Sequence, residues 1–212
     1  MRNDLFVLGF SDEHRLVEQI ASDLEVGSKL AEQRTFAAGE LQIIGPSALP
    51  STVIIATNIH ARPESLWRAC FLSTSARSEG ATHVHLICPW IAYGRQDRVV
   101  TPGEAPGGLL VAHWLREAFD TITTFDAHSA KFIDAFQGKL RNVHGSPLLF
   151  DGLREATIVV APDEGARDRA TEAGKLLQLP IAVMKKTRSS GHVSVEIPSE
   201  AFDWNKQVPL LV

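Results

Sequence analysis

Short runs of β-branched and aliphatic residues alternate along this chain with longer amphipathic stretches, and that alternation constrains the fold more than any other feature. Leu5-Phe-Val-Leu precedes a helical pattern from Glu13 to Leu24, and Val53-Ile-Ile-Ala precedes another from Pro63 to Ser78. Val84-His-Leu-Ile-Cys, a helix from Gly107 to Phe119, Ile122-Thr-Thr-Phe and a helix from Ala130 to Phe136 continue it. Strands that alternate with helices in this way predict an α/β protein whose sheets are mainly parallel. A second series starts near Gly145, with helices at Leu148 to Arg154 and Glu164 to Leu177 and strands at Thr157-Ile-Val-Val-Ala and Ile181-Ala-Val-Met. Between the two series, Gly138 to Pro147 gathers Gly, Asn, Ser and Pro, which suits a crossing between halves. The boundary is therefore set between residues 1–144 and 145–212. Thr187-Arg-Ser-Ser-Gly reads as a mobile loop, His192-Val-Ser-Val-Glu-Ile as a strand or hairpin arm, and Val208-Pro-Leu-Leu-Val as a buried strand.

Composition narrows the function classes. Hydrophobic residues make up 44% of the 212 and charged ones 22%, as in an ordinary folded protein. A net charge of −4 gives no general attraction to nucleic acid or anionic lipid, so a phosphate ligand needs a local site. No apolar stretch reaches the roughly 18 residues of a membrane span, and the start lacks a signal-peptide core. With only Cys70 and Cys88, free thiols in a reducing cytoplasm are expected.

Neither of the common nucleotide-binding glycine loops is present, nor is a nucleophile elbow or a Cys-x-x-Cys pair. What remains are polar clusters at the ends of expected strands, where open parallel sheets gather ligands. Tyr93-Gly-Arg-Gln-Asp-Arg98 offers guanidinium groups matched to phosphate oxygens, although a solvated charged loop has the same composition. Phe125-Asp-Ala-His128 and Ala161-Pro-Asp-Glu-Gly165 occupy equivalent strand ends; His128 and Asp163 suit either a shared Mg²⁺ or plain helix starts. Lys185-Lys-Thr-Arg188 is a cationic turn that either closes over a phosphoryl group or is merely solvated. His83 and His85 share one strand face, a partly exposed sheet surface more than a chelate. Trp67, Trp90 and Trp114 fall in apolar segments and read as core or interface.

Taken in order, these clusters resemble the ribose-phosphate pyrophosphokinase family. Phe36-Ala-Ala-Gly-Glu40 is similar to its Phe-Ser-Asn-Gly-Glu adenine loop, Tyr93-Gly-Arg-Gln-Asp-Arg98 to its Tyr-Ala-Arg-Gln-Asp-Arg, and Phe125-Asp-Ala-His-Ser129 to its Asp-Leu-His metal site. Val143-His-Gly-Ser-Pro-Leu148 resembles its linker, Ala161-Pro-Asp-Glu-Gly-Ala166 its Ser-Pro-Asp-x-Gly-Gly, and Lys186-Thr-Arg188 stands where it has Lys-Arg-Arg. The resemblance implies two phosphoribosyltransferase-type α/β domains, the second incomplete. It implies transfer of pyrophosphate from Mg-ATP to ribose 5-phosphate, giving phosphoribosyl pyrophosphate and AMP. In that scheme Phe36, Ala38, Gly39, Glu40, Arg95, Gln96 and Asp97 bind ATP, His128 and Asp163 hold Mg²⁺, and Lys186 and Arg188 stabilise the transition state. A homo-oligomer is implied as well, because the family's Phe36 loop comes from a neighbouring subunit.

Three departures set expectations. Ala38 replaces an adenine-reading Asn, so discrimination of ATP from GTP is expected to loosen. Gly107-Gly-Leu-Leu differs from the best-known bacterial members, so phosphate-activated regulation does not carry over. The family continues past Val212 into an Asp-Asp-x-x-x-x-Gly-Gly-Thr loop that cradles the 5-phosphate, so the 212-residue chain is expected to bind nucleotide without making product. A non-catalytic regulatory relative would lack His128, Asp163, Lys186 and Arg188; a phosphoribosyltransferase would lack the pairing of Arg95-Gln96-Asp97 with His128.

Overall fold

The computed structural model describes residues 4–145, 155–189, 192–196, 198 and 202–212. The chain divides into two compact units, Met1–Val143 and His144–Val212. The expected mixed α/β architecture is what forms, with sheets that are mostly parallel.

The first unit is a seven-stranded sheet made of β1 (Leu5–Phe10), β2 (Gly27–Thr35), β3 (Leu41–Ile44), β4 (Thr52–Ala56), β5 (His83–Ile87), β6 (Thr121–Phe125) and β7 (Leu140–Val143). Their spatial order is β3-β2-β1-β4-β5-β6-β7, with every pair parallel except β2 and β3. The chain reverses its winding direction between β1 and β4, the switch point at which such sheets open a crevice beyond their carboxyl ends. Helix α1 (His14–Leu24) covers one face, with Val17 and Ala21 packed among Val7, Ile54 and Ala56. Helices α2 (Pro63–Ser78), α3 (Gly107–Ala118) and α4 (Ala130–Asp134) cover the other. There Leu66, Ala69, Leu72 and Ala76, spaced three or four apart on α2, face Val53, Ile55, Val84 and Leu86.

In the second unit, β8 (Ile158–Ala161) lies between β12 (Pro209–Leu211) and β9 (Ile181–Val183), all parallel. Alternate residues of β8 serve the two faces: Val159 and Ala161 pack with α5 (Arg167–Leu177), whereas Ile158 and Val160 join Ala182, Phe202 and Trp204. A separate antiparallel pair joins β10 (Lys185–Ser189) to β11 (His192–Glu196).

Three sequence expectations are corrected. Leu140 to Val143, assigned to the crossing, is an edge strand, because its four residues find a parallel partner in β6. Thr187 to Ser189, read as a mobile loop, is a strand whose backbone pairs with His192 to Ser194. The stretch between Gly27 and Ile44, which the alternation left without an element, forms the β2–β3 hairpin; Glu32 to Glu40 are exposed, so no apolar alternation marks it. The helix expected over 148–154 lies outside the described residues.

Both cysteines are free. Burial pushes the Cys88 thiol up to about 12 and that of Cys70 up to about 11. Cys88 is therefore expected to resist iodoacetamide at pH 8 in the native protein and to label only after unfolding; labelling at Cys88 in the native chain would contradict this packing. Among the described residues no helix is long and apolar enough to cross a membrane.

Candidate functional site

Three loops of the first unit emerge at the carboxyl ends of parallel strands, and they carry the residues singled out above. Residues 36–40 form the tip of the β2–β3 hairpin, continuing from the Thr35–Leu41 pair. The Phe36 N–H donates to the Glu40 carbonyl at 2.9 Å and the Gly39 N–H to the Phe36 carbonyl at 2.8 Å. Gly39 takes a φ of +91°, the left-handed position that closes such a three-residue turn and that glycine fills without strain. Phe36, Ala38 and Glu40 are all exposed, so the tip presents an aromatic ring and a carboxylate to whatever approaches it.

The segment from Tyr93 to Arg98 follows β5, and residues 126–129 follow β6. The two are joined. The Ser129 hydroxyl donates to Asp97 Oδ2 at 2.6 Å while its oxygen accepts from the Phe132 N–H at 3.1 Å, capping α4. A Cβ built on Gly94 would lie 3.3 Å from the Cβ of His128, so glycine lets the loops close side by side. Arg95, Gln96 and His128 are exposed on this pair. The Ser129 hydroxyl holds the Asp97 carboxyl below its ordinary value, with the neighbouring Arg98 adding to the effect. A carboxyl depressed in the folded state contributes stability above its unfolded value near 3.8 and loses it as pH falls through the folded one. Ser129→Ala should therefore move the Asp97 titration up toward 3.8, readable by carboxyl NMR; an unmoved titration would show that Ser129 does not set it.

In the second unit, Asp163 ends the segment after β8. Its Oδ1 accepts from the Gly165 N–H at 3.0 Å, and its Oδ2 lies 3.4 Å from Lys186 Nζ on β10. The structure thus brings Lys186 to Asp163. Arg188 lies on the same strand, its backbone opposite Val193. Glu164 is engaged by Arg167, whose guanidinium holds the Glu164 carboxyl below its ordinary value.

Other candidates have ordinary roles. His85 lies within hydrogen-bond distance of Thr121 and Thr123, and no cluster of three or more metal-ligating side chains occurs among the described residues. Trp67, Trp90 and Trp114 are exposed, with the Trp67 and Trp114 rings 5.2 Å apart and tilted by 35°, so of the two readings, core or interface, core does not hold for them. Sequence reasoning gave Ser129 no role, although a serine directly before a helix is a recognisable cap signal.

The His128 imidazole belongs to the first unit and the Asp163 carboxylate to the second. Taken singly, each is a group that an ion keeping several waters, such as Mg²⁺, can use directly or through water.

The chain is similar to known proteins along most of its length. Residues 5–118 match the family described as the N-terminal domain of ribose phosphate pyrophosphokinase. The chain is 30% identical to a ribose-phosphate pyrophosphokinase of Methanopyrus kandleri, over 98% of this chain and 73% of that protein. It is 28% identical to ribose-phosphate pyrophosphokinase 1 of Streptococcus pyogenes, over 88% of this chain and 61% of that one. The crystal structure of phosphoribosylpyrophosphate synthetase from Mycobacterium smegmatis shares the fold, with a TM-score of 0.81 and 23% identity, covering 98% of this chain and 70% of that one. With more than half of its length matched by the family's own domain, and a 30% identical relative aligned along nearly all of it, the chain belongs to the ribose-phosphate pyrophosphokinase family.

Proposed function

We propose that this chain binds Mg-ATP and serves transfer of the pyrophosphoryl group from ATP to the anomeric hydroxyl of ribose 5-phosphate, with release of AMP. The observation that carries the reading is the joining of the Tyr93–Arg98 and 126–129 loops through Asp97 and Ser129. That contact sets guanidinium, amide and imidazole groups side by side at the carboxyl edge of one parallel sheet.

Arg95 and Gln96 grip the polyphosphate and the sugar, since a guanidinium matches phosphate oxygens in two-pronged fashion. His128 in the first unit and Asp163 in the second would each serve Mg²⁺, directly or through water. Bound there with ATP, the ion supplies neutralisation of phosphate charge. Lys186 and Arg188 offset the charge that develops on the transferring group, a reaction type that depends on alignment and electrostatics more than on covalent catalysis. The Phe36 tip stacks on adenine in the site of a second copy of the chain. Supporting that, β2 stands three strand positions from β5, a separation of about 14 Å. The Phe36 tip is thus well removed from Arg95 in its own unit. The same reading makes the protein a cytoplasmic homo-oligomer.

Calorimetric titration with Mg-ATP tests the reading. His128→Ala should weaken binding about tenfold or more when Mg²⁺ is present, as expected for loss of a group that helps hold a phosphate-bound ion. The two proteins should differ little toward ATP with EDTA. Equal Mg-ATP affinities would remove His128 from the site.

A further inference from the structure

Glu13 has no part in the nucleotide reading above, yet only 10% of its side chain is exposed. It sits on the short 3₁₀ turn Ser11–Glu13 just beyond β1, at the switch point of the sheet, facing the carboxyl end of β4. The Thr57 hydroxyl donates to its Oε2. Its Oε1 accepts the Asn58 backbone N–H at 2.8 Å and the Asn58 side-chain Nδ2 at 2.7 Å. Enclosing a carboxylate is unfavourable unless donors converge on it, and here three do.

The consequence lies on the far side of Asn58. An ionised carboxylate only accepts, so the NH₂ of the amide must face Glu13 and its oxygen must face away. That oxygen, Oδ1, accepts the Trp90 N–H at 2.9 Å. The same two segments are stitched further by Ile59 N–H to Trp90 O at 2.9 Å, Ala92 N–H to Ile59 O at 2.8 Å, and Tyr93 OH to Ala61 O at 3.0 Å. Residues 57–61 are thus a splint along residues 90–93. Tyr93 then turns the chain, with a φ of +66° and its carbonyl accepting the Gln96 N–H at 2.8 Å, so that Arg95 and Gln96 follow directly from the splinted segment.

We infer that Glu13 is a positioning residue for the nucleotide: by orienting the Asn58 amide it fixes Trp90 to Tyr93, and through them the turn that bears Arg95 and Gln96. The inference rests on the reading that Arg95 and Gln96 contact ATP. Two measurements separate the two ideas.

The first is a calorimetric cycle with Mg-ATP using Glu13→Ala, Arg95→Ala and the double variant. Glu13→Ala should weaken binding about ten- to hundredfold, as expected when a charged hydrogen-bonded group is removed. In the Arg95→Ala background it should add less than about threefold, since coupled residues are non-additive. Fully additive losses would overturn the inference, because a residue that merely supports the fold weakens binding whether or not Arg95 is present. Asn58→Ser serves as the second variant: it leaves Glu13 with its Thr57 and backbone donors but is too short to reach Trp90, and should show the same coupling.

The second measurement is amide hydrogen exchange without nucleotide. Trp90 and Ala92 should exchange faster in both variants, while Ala127, whose N–H donates to Asn142 Oδ1 at 2.8 Å, should not change. Unchanged exchange at Trp90 would sink the splint. If Arg95→Ala binds Mg-ATP as well as the parent, the nucleotide reading fails, and the exchange result still decides whether Glu13 orders the loop.

Discussion

Gly108→Ala is expected to reduce Mg-ATP affinity by about a hundredfold while leaving a folded protein, the scale associated with misplacing binding groups by about 1 Å. A Cβ on Gly108 would stand 2.5 Å from the Tyr93 carbonyl oxygen and 3.0 Å from that of Gln96. Both are backbone atoms, so no rotamer change relieves the clash. The Gly108 N–H also donates to the Gln96 carbonyl at 2.9 Å, which makes the start of α3 the platform on which the Tyr93–Gln96 turn rests. Adding the methyl therefore pushes the turn, and Arg95 with it, off that platform. The stability cost should be about 1–3 kcal/mol, the usual range for overpacking.

Gly107 provides the control. A Cβ there would meet the side-chain oxygen of Gln96 instead of backbone, and a flexible amide can swing aside. Gly107→Ala should therefore bind nucleotide more tightly than Gly108→Ala. Calorimetry with thermal melts on the three proteins decides it: if Gly108→Ala binds like the parent, the turn is not what positions the nucleotide.

The parts of the fold that sequence could convey are those buried on both faces. Val53 to Ala56 are apolar because helices and neighbouring strands enclose them, and their run announces a strand; in β5 the buried Val84 and Leu86 flank the half-buried His85. The β2–β3 hairpin gave no such signal: Glu32, Gln33 and Arg34 face water on a two-stranded extension, where pairing alone maintains the strand. Edge strand β7 was masked for a related reason, since Arg141 and Asn142 interrupt its few apolar residues.

At the candidate site, the residues that the sequence singles out are those whose own chemistry suits phosphate and that fall at strand ends. The parts that hold them were not readable. Glu13 reaches Asn58 across 45 positions and Ser129 reaches Asp97 across 32; a one-dimensional pattern has no period that links such pairs. Gly108 reads as an ordinary helix start until the carbonyls above it are known.

Lys186→Ala is expected to lower the rate of ribose 5-phosphate-dependent AMP release by about 10²–10³, the loss typical of removing one group aimed at developing charge. Its ground-state surroundings explain why the loss should fall on the rate. Lys186 and Asp163 are 3.4 Å apart with about a third of each side chain exposed, and an ion pair that open to water contributes about 0–1 kcal/mol. Little is therefore given up when Lys186 leaves Asp163 for a phosphoryl oxygen. Asp163 keeps its orientation without the lysine, because the Gly165 N–H still holds its Oδ1, and β10 remains paired to β11 through backbone bonds that do not involve the side chain. The melting temperature and the ATP KM should thus stay near those of the parent while kcat falls, the pattern of an interaction made chiefly in the transition state. Lys186→Arg, which keeps the charge on a longer and planar group, should recover part of the rate. A fall of less than tenfold in Lys186→Ala, measured against a parent protein that turns over ribose 5-phosphate, would make Lys186 a surface partner of Asp163 and move the charge-stabilising role elsewhere.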